Sequence, residues 1–146
     1  MRLHEDVKPE LRILLFEITE KCNAACEQCG SRCDASKEEK LKKDEILSVL
    51  RDVKEHFGTG VMLNVTGGEP LLRKDLFEIM TEAHRMGFDW GMVTNGSLID
   101  DRVIDEMKRS GMKTVTVSID GMKETHESLR HLPGSFDRII NGLRKL

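Results

Sequence analysis

The chain has no tyrosine, one tryptophan and five phenylalanines in 146 residues. So thin an aromatic supply argues against a surface that stacks nucleobases. Charge of one sign is also lacking. The formal net charge is −3, which offers no electrostatic attraction to nucleic acid or to an anionic membrane. No apolar stretch approaches the roughly 20 residues needed to cross a bilayer. The N-terminus, Met1-Arg-Leu-His-Glu-Asp-Val-Lys-Pro9, has no apolar signal core. Together these absences imply a cytoplasmic protein with neither nucleic-acid nor membrane partners. Proline is scarce and no low-complexity run occurs, so nothing marks a linker. Residues 1–146 read as one domain, long enough for a real core.

Against this ordinary globular background, three of the four cysteines crowd into Cys22-Asn23-Ala24-Ala25-Cys26-Glu27-Gln28-Cys29. In a reducing compartment such a group favours metal binding or redox chemistry over disulfides. Three thiolates are one short of what an iron–sulfur cube normally takes from protein, so one iron would stay open to a small molecule. Cys33 follows closely. As a fourth ligand it would close the open iron; as a free thiol it leaves the iron open. A closed, structural zinc site made by all four cysteines is the other reading of the spacing. The three positions fall at i, i+4 and i+7. On a straight helix they would spread over roughly 10 Å, too far for one compact group, so the segment must curl.

Strand and helix signals alternate along the chain. Apolar, β-branched runs place strands at about 12–19, 61–66, 88–94 and 113–119. The charged stretch from Ser36 to Lys43 reads as a solvated loop or helix surface. A helix over about 44–57 has Asp44 as its cap, an apolar stripe of Ile46, Leu47, Leu50, Val53 and Phe57, and Gly58 as its stop. A second, over about 74–86, turns Leu76, Phe77, Met80 and Ala83 inward. A third, capped by Asp100 or Asp101, carries Val103, Ile104 and Met107. After a loop or short helix at 121–133, Ser135 caps a last helix with Ile139, Ile140, Leu143 and Leu146.

Alternation at this spacing implies α/β architecture with parallel strands and right-handed crossovers. The strands alternate in polarity. Val61, Leu63 and Val65 oppose Met62, Asn64 and Thr66, and Val115, Val117 and Ile119 oppose Thr114, Thr116 and Ser118. One face therefore packs on helices. The polar face is either the hollow of a splayed partial barrel or one side of a curved sheet in water, since a closed barrel is filled with branched apolar side chains. Every chemistry-bearing turn follows a strand, on the edge where parallel α/β folds bind ligands. These turns are the cysteine segment, Gly67-Gly68-Glu69-Pro70, Thr94-Asn95-Gly96 and Ser118-Ile119-Asp120-Gly121. Gly67 and Gly68 let backbone approach a ligand closely, and Glu69 offers a carboxylate to an ammonium group.

The cysteine spacing after the first strand, with Gly67-Gly68-Glu69-Pro70 after the second, resembles the radical S-adenosylmethionine (radical SAM) superfamily. The likeness extends through Ser118-Ile119-Asp120-Gly121 and the stretch from His126 to Arg130, and on to Pro133-Gly134-Ser135-Phe136. The later segments resemble the branch with a C-terminal cysteine-rich (SPASM-type) domain, which includes peptide and protein maturases. The resemblance implies a partial (β/α) barrel, here about four units of the usual six, so that the sequence is expected to be the N-terminal part of a longer protein. It implies a [4Fe–4S] cluster on Cys22, Cys26 and Cys29, with S-adenosylmethionine chelating the fourth iron. Gly67, Gly68 and Glu69 would receive the amino group of S-adenosylmethionine. Ser118 and Arg130 would hold its carboxylate, with Thr66, Asn95 and Asp120 as further contacts. The implied activity is reductive cleavage of S-adenosylmethionine to a 5′-deoxyadenosyl radical that takes a hydrogen from a peptide or a cofactor precursor. A low-potential donor, a flavodoxin or ferredoxin-like protein, would supply the electron. The rival classes are an iron–sulfur electron carrier and a structural zinc module. Gln28 departs from the family, which often has an aromatic residue there near the adenine.

Overall fold

The computed structural model describes residues 10–146; the N-terminal segment read above for a signal core lies outside the described residues. Four parallel strands form one sheet in the order β1-β2-β3-β4. They are β1 (Ile13–Thr19), β2 (Met62–Gly67), β3 (Trp90–Thr94) and β4 (Met112–Val117). The connections run through α1 (Lys43–Phe57), a 3₁₀ turn (Pro70–Leu72) leading into α2 (Leu76–Arg85), and α3 (Asp101–Arg109). After β4 come α4 (Lys123–Arg130) and α5 (Ser135–Leu143). The sheet is not closed, and β1 and β4 form its edges. This is the expected α/β partial barrel of four units. Among the described residues no helix is long and apolar enough to cross a membrane.

The alternation read from the strands sets the layering. Ile18, Leu63, Val65, Trp90 and Met92 pack under Ile46, Leu50, Leu76, Met80, Ile104 and Met107 in one core. The largest member, Trp90, is fully buried and donates its indole N–H to the Ser110 carbonyl at 2.8 Å, so its one polar atom is satisfied. The opposite face is open: Leu15 is 60% exposed, and Thr114 and Thr116 are exposed as well.

Several local expectations shift. The cap of α1 is Lys42, not Asp44. Glu45 Oε2 accepts the Lys42 N–H at 2.7 Å, so the helix starts one residue early and Asp44 joins its first turn, where a carboxylate opposes the helix dipole. The cap of α5 is Gly134, at φ 72°, not Ser135. The Pro133-Gly134 turn begins the helix at Ser135, whose buried hydroxyl then caps nothing. Phe57, the last residue of α1 before the chain reverses at Gly58, is 59% exposed rather than part of the core. Leu143 and Leu146 are exposed too, whereas Ile79, absent from the expected stripe of α2, is fully buried. Asp100 caps α3 as read, its Oδ1 accepting the Val103 N–H at 2.8 Å.

Candidate functional site

The cysteine segment is not helical. It curls through tight turns in which Cys29 N–H donates to Cys26 O at 3.1 Å and Arg32 N–H to Cys29 O at 3.4 Å. Cys22 and Cys33 are buried, and Cys26 and Cys29 half-buried. Burial pushes the Cys22 and Cys26 thiols up from their ordinary range, and takes Cys33 to about 11. A loop of this length would be costly to order alone, but its neighbours hold it on both sides. Asn95 Nδ2 donates to Asn23 Oδ1 (2.8 Å), Asn23 Nδ2 to Ser97 Oγ (3.0 Å), and Ser97 Oγ back to Asn95 Oδ1 (2.7 Å). That closed ring ties the loop to the turn after β3. On the other flank Ala25 N–H and Glu27 N–H donate to the Arg130 and Leu129 carbonyls, and Gln28 Nε2 to Asp120 Oδ2 at 3.1 Å.

Gly67 and Gly68 brace the loop from below. Their N–H-side backbone meets β1 and its exit, with Gly68 N–H donating to Thr19 O and Glu69 N–H to Lys21 O, each at 2.8 Å. A Cβ on Gly67, at φ 138°, would collide with the Thr19 carbonyl oxygen, and one on Gly68 with that of Lys21. Glu69 departs from expectation. Its carboxylate does not reach the cavity but is fully buried behind it. Oε1 accepts from Thr94 Oγ1 (2.7 Å) and Leu71 N–H (3.1 Å), and Oε2 from Asn95 N–H (2.8 Å). The physical reason is Pro70. It opens a 3₁₀ turn at its first position, and Glu69 folds back to cap that turn. Burial, working against these three donors, holds the Glu69 carboxyl above its usual range.

The far wall comes from β4 and α4. Ser118 N–H is bonded to Thr94 O at 3.1 Å. Arg130 Nε donates to Asp120 Oδ2 at 2.6 Å, the same oxygen that Gln28 holds. Asp120 thus sits behind the wall as the partner of Arg130. The cavity itself has a volume of about 220 Å³. It is lined by Cys22, Cys26, Cys29 and Cys33, by Thr66, Gly67 and Gly68, and by Asn95, Ser118 and Arg130. Nine of the expected site residues therefore meet around one space, and Glu69 and Asp120 stand outside it. Asn95 lines it, but its amide is committed to Asn23 and Ser97. Asn23 and Ser97, which the sequence did not single out, do the fastening with Asn95; only their polarity beside the motifs hinted at it.

The donor set suits a body larger than one ion. Among the described residues no three His, Cys, Asp or Glu side chains converge on a point that could hold a single metal ion. A closed zinc site needs four thiolates at about 2.3 Å from one centre. Here four thiols line a cavity instead, which fits a cluster among them.

A family model for the radical SAM superfamily matches residues 16–146. The chain belongs to that superfamily. Its curated radical SAM relatives include an Fe-coproporphyrin III synthase of Methanosarcina barkeri, 34% identical over 98% of this chain and 35% of that protein. A probable GTP 3′,8-cyclase of Methanocaldococcus jannaschii is 31% identical over 93% of this chain and 45% of its own length. Among solved structures, anSMEcpe with bound AdoMet superposes with a TM-score of 0.76 at 23% identity, over 93% of this chain and 40% of that one. Streptococcus suis SuiB bound to S-adenosylmethionine gives 0.74 at 18% identity, over 93% and 31%. The chain spans 35–39% of the length of the first four curated relatives. A [4Fe–4S] cluster and S-adenosylmethionine are the cofactors of this radical SAM family, and the cavity offers thiols, glycine backbone and a guanidinium to receive them.

Proposed function

We propose that this chain is the cluster-bearing, N-terminal part of a radical SAM enzyme, with Cys22, Cys26 and Cys29 holding the cluster. The observation that carries this reading is one cavity lined by Cys22, Cys26, Cys29 and Cys33, the Gly67-Gly68 backbone and Arg130. Cys22, Cys26 and Cys29 would hold the cluster, which would supply the one electron needed to cleave S-adenosylmethionine reductively to methionine and a 5′-deoxyadenosyl radical.

The chain's own residues bind and orient. The Gly67 and Gly68 backbone lines the cavity and would meet the ammonium group there. Arg130 spends Nε on Asp120, which leaves its terminal nitrogens for the carboxylate of S-adenosylmethionine, with Ser118 beside them. Thr66 and Asn95 complete the wall, while Glu69 keeps the turns after β2 and β3 together from behind. Cys33 lines the same cavity as a neighbour and not as a ligand.

The relatives matched over this same segment carry names with different reactions, the synthesis of Fe-coproporphyrin III in one and the cyclisation of GTP in another. Solved neighbours hold peptides. What they share is this segment, so it supplies radical generation, and substrate choice lies with other parts of the protein. The substrate class is a peptide or a cofactor precursor, and the electron comes from a cytoplasmic flavodoxin or ferredoxin-like protein.

Anaerobic reconstitution tests the reading. The expected result is about four irons per chain and an altered spectrum of the reduced cluster on adding S-adenosylmethionine. A spectrum indifferent to S-adenosylmethionine would mark an electron carrier, and a colourless zinc adduct a structural module.

A further inference from the structure

His126 on α4 is fully buried and lies outside the cavity wall. Its Nδ1 accepts the Asp120 N–H at 3.3 Å. A backbone N–H can only donate, so Nδ1 is the unprotonated nitrogen and the ring proton sits on Nε2. That Nε2 is buried and has no partner among the described residues. The ring otherwise meets Phe136 edge to face, at 6.0 Å between centroids. Packing alone would be served better by an apolar side chain, which strands no donor. What imidazole adds is the one acceptor for Asp120. Burial, helped by the nearby Arg130 charge, keeps the ring in its neutral form.

Asp120 is the node where this matters. Its backbone is held by His126, and its Oδ2 holds both Arg130 from α4 and Gln28 from the cysteine loop. The turn after β4 places that oxygen, and Gly121 at φ 133° lets the chain leave it sharply. We propose that His126 is a positioning residue for S-adenosylmethionine, fixing the Asp120 turn so that Arg130 presents its terminal nitrogens to the cofactor's carboxylate. The proposal rests on Arg130 holding that carboxylate, as argued above.

The test is a set of variants of the full chain, reconstituted anaerobically, with iron content, unfolding temperature and S-adenosylmethionine affinity measured for each. His126→Leu is expected to keep its iron and bind S-adenosylmethionine about tenfold more weakly, the scale of one hydrogen bond to a charged group's support. His126→Asn, whose side-chain oxygen reaches where Nδ1 sits, is expected to recover most of that loss. In an Asp120→Ala background, His126→Leu is expected to cost little more, because its effect runs through Asp120. Equal affinity in His126→Leu and the parent overturns the proposal, as do losses that simply add. Should His126→Leu lose its fold, His126→Asn is compared with His126→Gln, whose oxygen falls near Nε2 instead; equal affinities there overturn it too. An unchanged affinity in Arg130→Met would instead refute the underlying role of Arg130, whatever His126 does.

Discussion

Replacing Glu69 by Gln tests whether this buried carboxylate braces the turns after β2 and β3. The parent carboxylate receives three donors in a fully buried setting. Gln keeps one oxygen. Turned toward Thr94 Oγ1 and Leu71 N–H, it leaves its NH₂ facing the Asn95 N–H, so one bond is lost and two buried donors oppose each other. That costs about 1–3 kcal/mol. For a chain of this size the unfolding entropy converts it to a fall in unfolding temperature of about 3–10 °C. The pH dependence has a definite sign. Burial raises the folded carboxyl above its usual range, so the folded chain binds this proton more tightly than the unfolded one. The contribution is then fully present below the unfolded value and is lost as pH rises through the folded one. Gln does not titrate, so the deficit of the variant shrinks as pH rises through the folded value. Thermal unfolding followed by circular dichroism at a mildly acidic and a mildly alkaline pH reads this directly. A deficit that grows with pH would show that the three donors outweigh burial, and no deficit at either pH would refute the brace.

Gly68→Ala is expected to cut iron loading well below that of the parent, because its Cβ meets the Lys21 carbonyl just before Cys22; Gly30→Ala, with open space around it, is the control that should load normally. Cys26→Ala should abolish loading while Cys33→Ala leaves about four irons per chain, and an empty site in Cys33→Ala would sink the three-cysteine assignment. Arg73 is 4% exposed and bonded to Asp75, Glu39 and the Ile18 and Leu41 carbonyls. Arg73→Leu strands the two carbonyls, while the part-exposed carboxylates can rehydrate, and should cost about 1–3 kcal/mol, read as a lower urea midpoint; an unchanged midpoint would contradict it.

The architecture was legible because parallel βα units write it twice, once in the spacing of elements and once in strand polarity. Val61, Leu63 and Val65 mark the buried face of β2 and its approach, and the turns after four strands mark the rim. Caps were less legible. Lys42 starts α1 only because Glu45 reaches back to it, a contact that no scale of cap preference contains. The hydrogen bonds of Glu69 are partly legible, because a proline directly after it opens a turn that its carboxylate can cap. The fastening of the cysteine loop is not. Asn23 finds Ser97 across 74 residues and Gln28 finds Asp120 across 92, and only the crossovers between strands bring those pairs together.

That long-range fastening also explains how a segment without regular structure can serve as a metal centre. A straight helix would spread the three cysteines over roughly 10 Å. The turns at Cys26 and Cys29 curl them instead, and hydrogen bonds to the turn after β3 and to α4 hold the curl from both sides. Those hydrogen bonds share the cost of ordering the loop with the rest of the fold. The curl stops short of converging the thiols on a single ion. It spaces them around a cavity whose other walls are glycine backbone and a guanidinium. A structural staple has no use for such walls; a cluster that must receive a zwitterionic partner at one corner needs them.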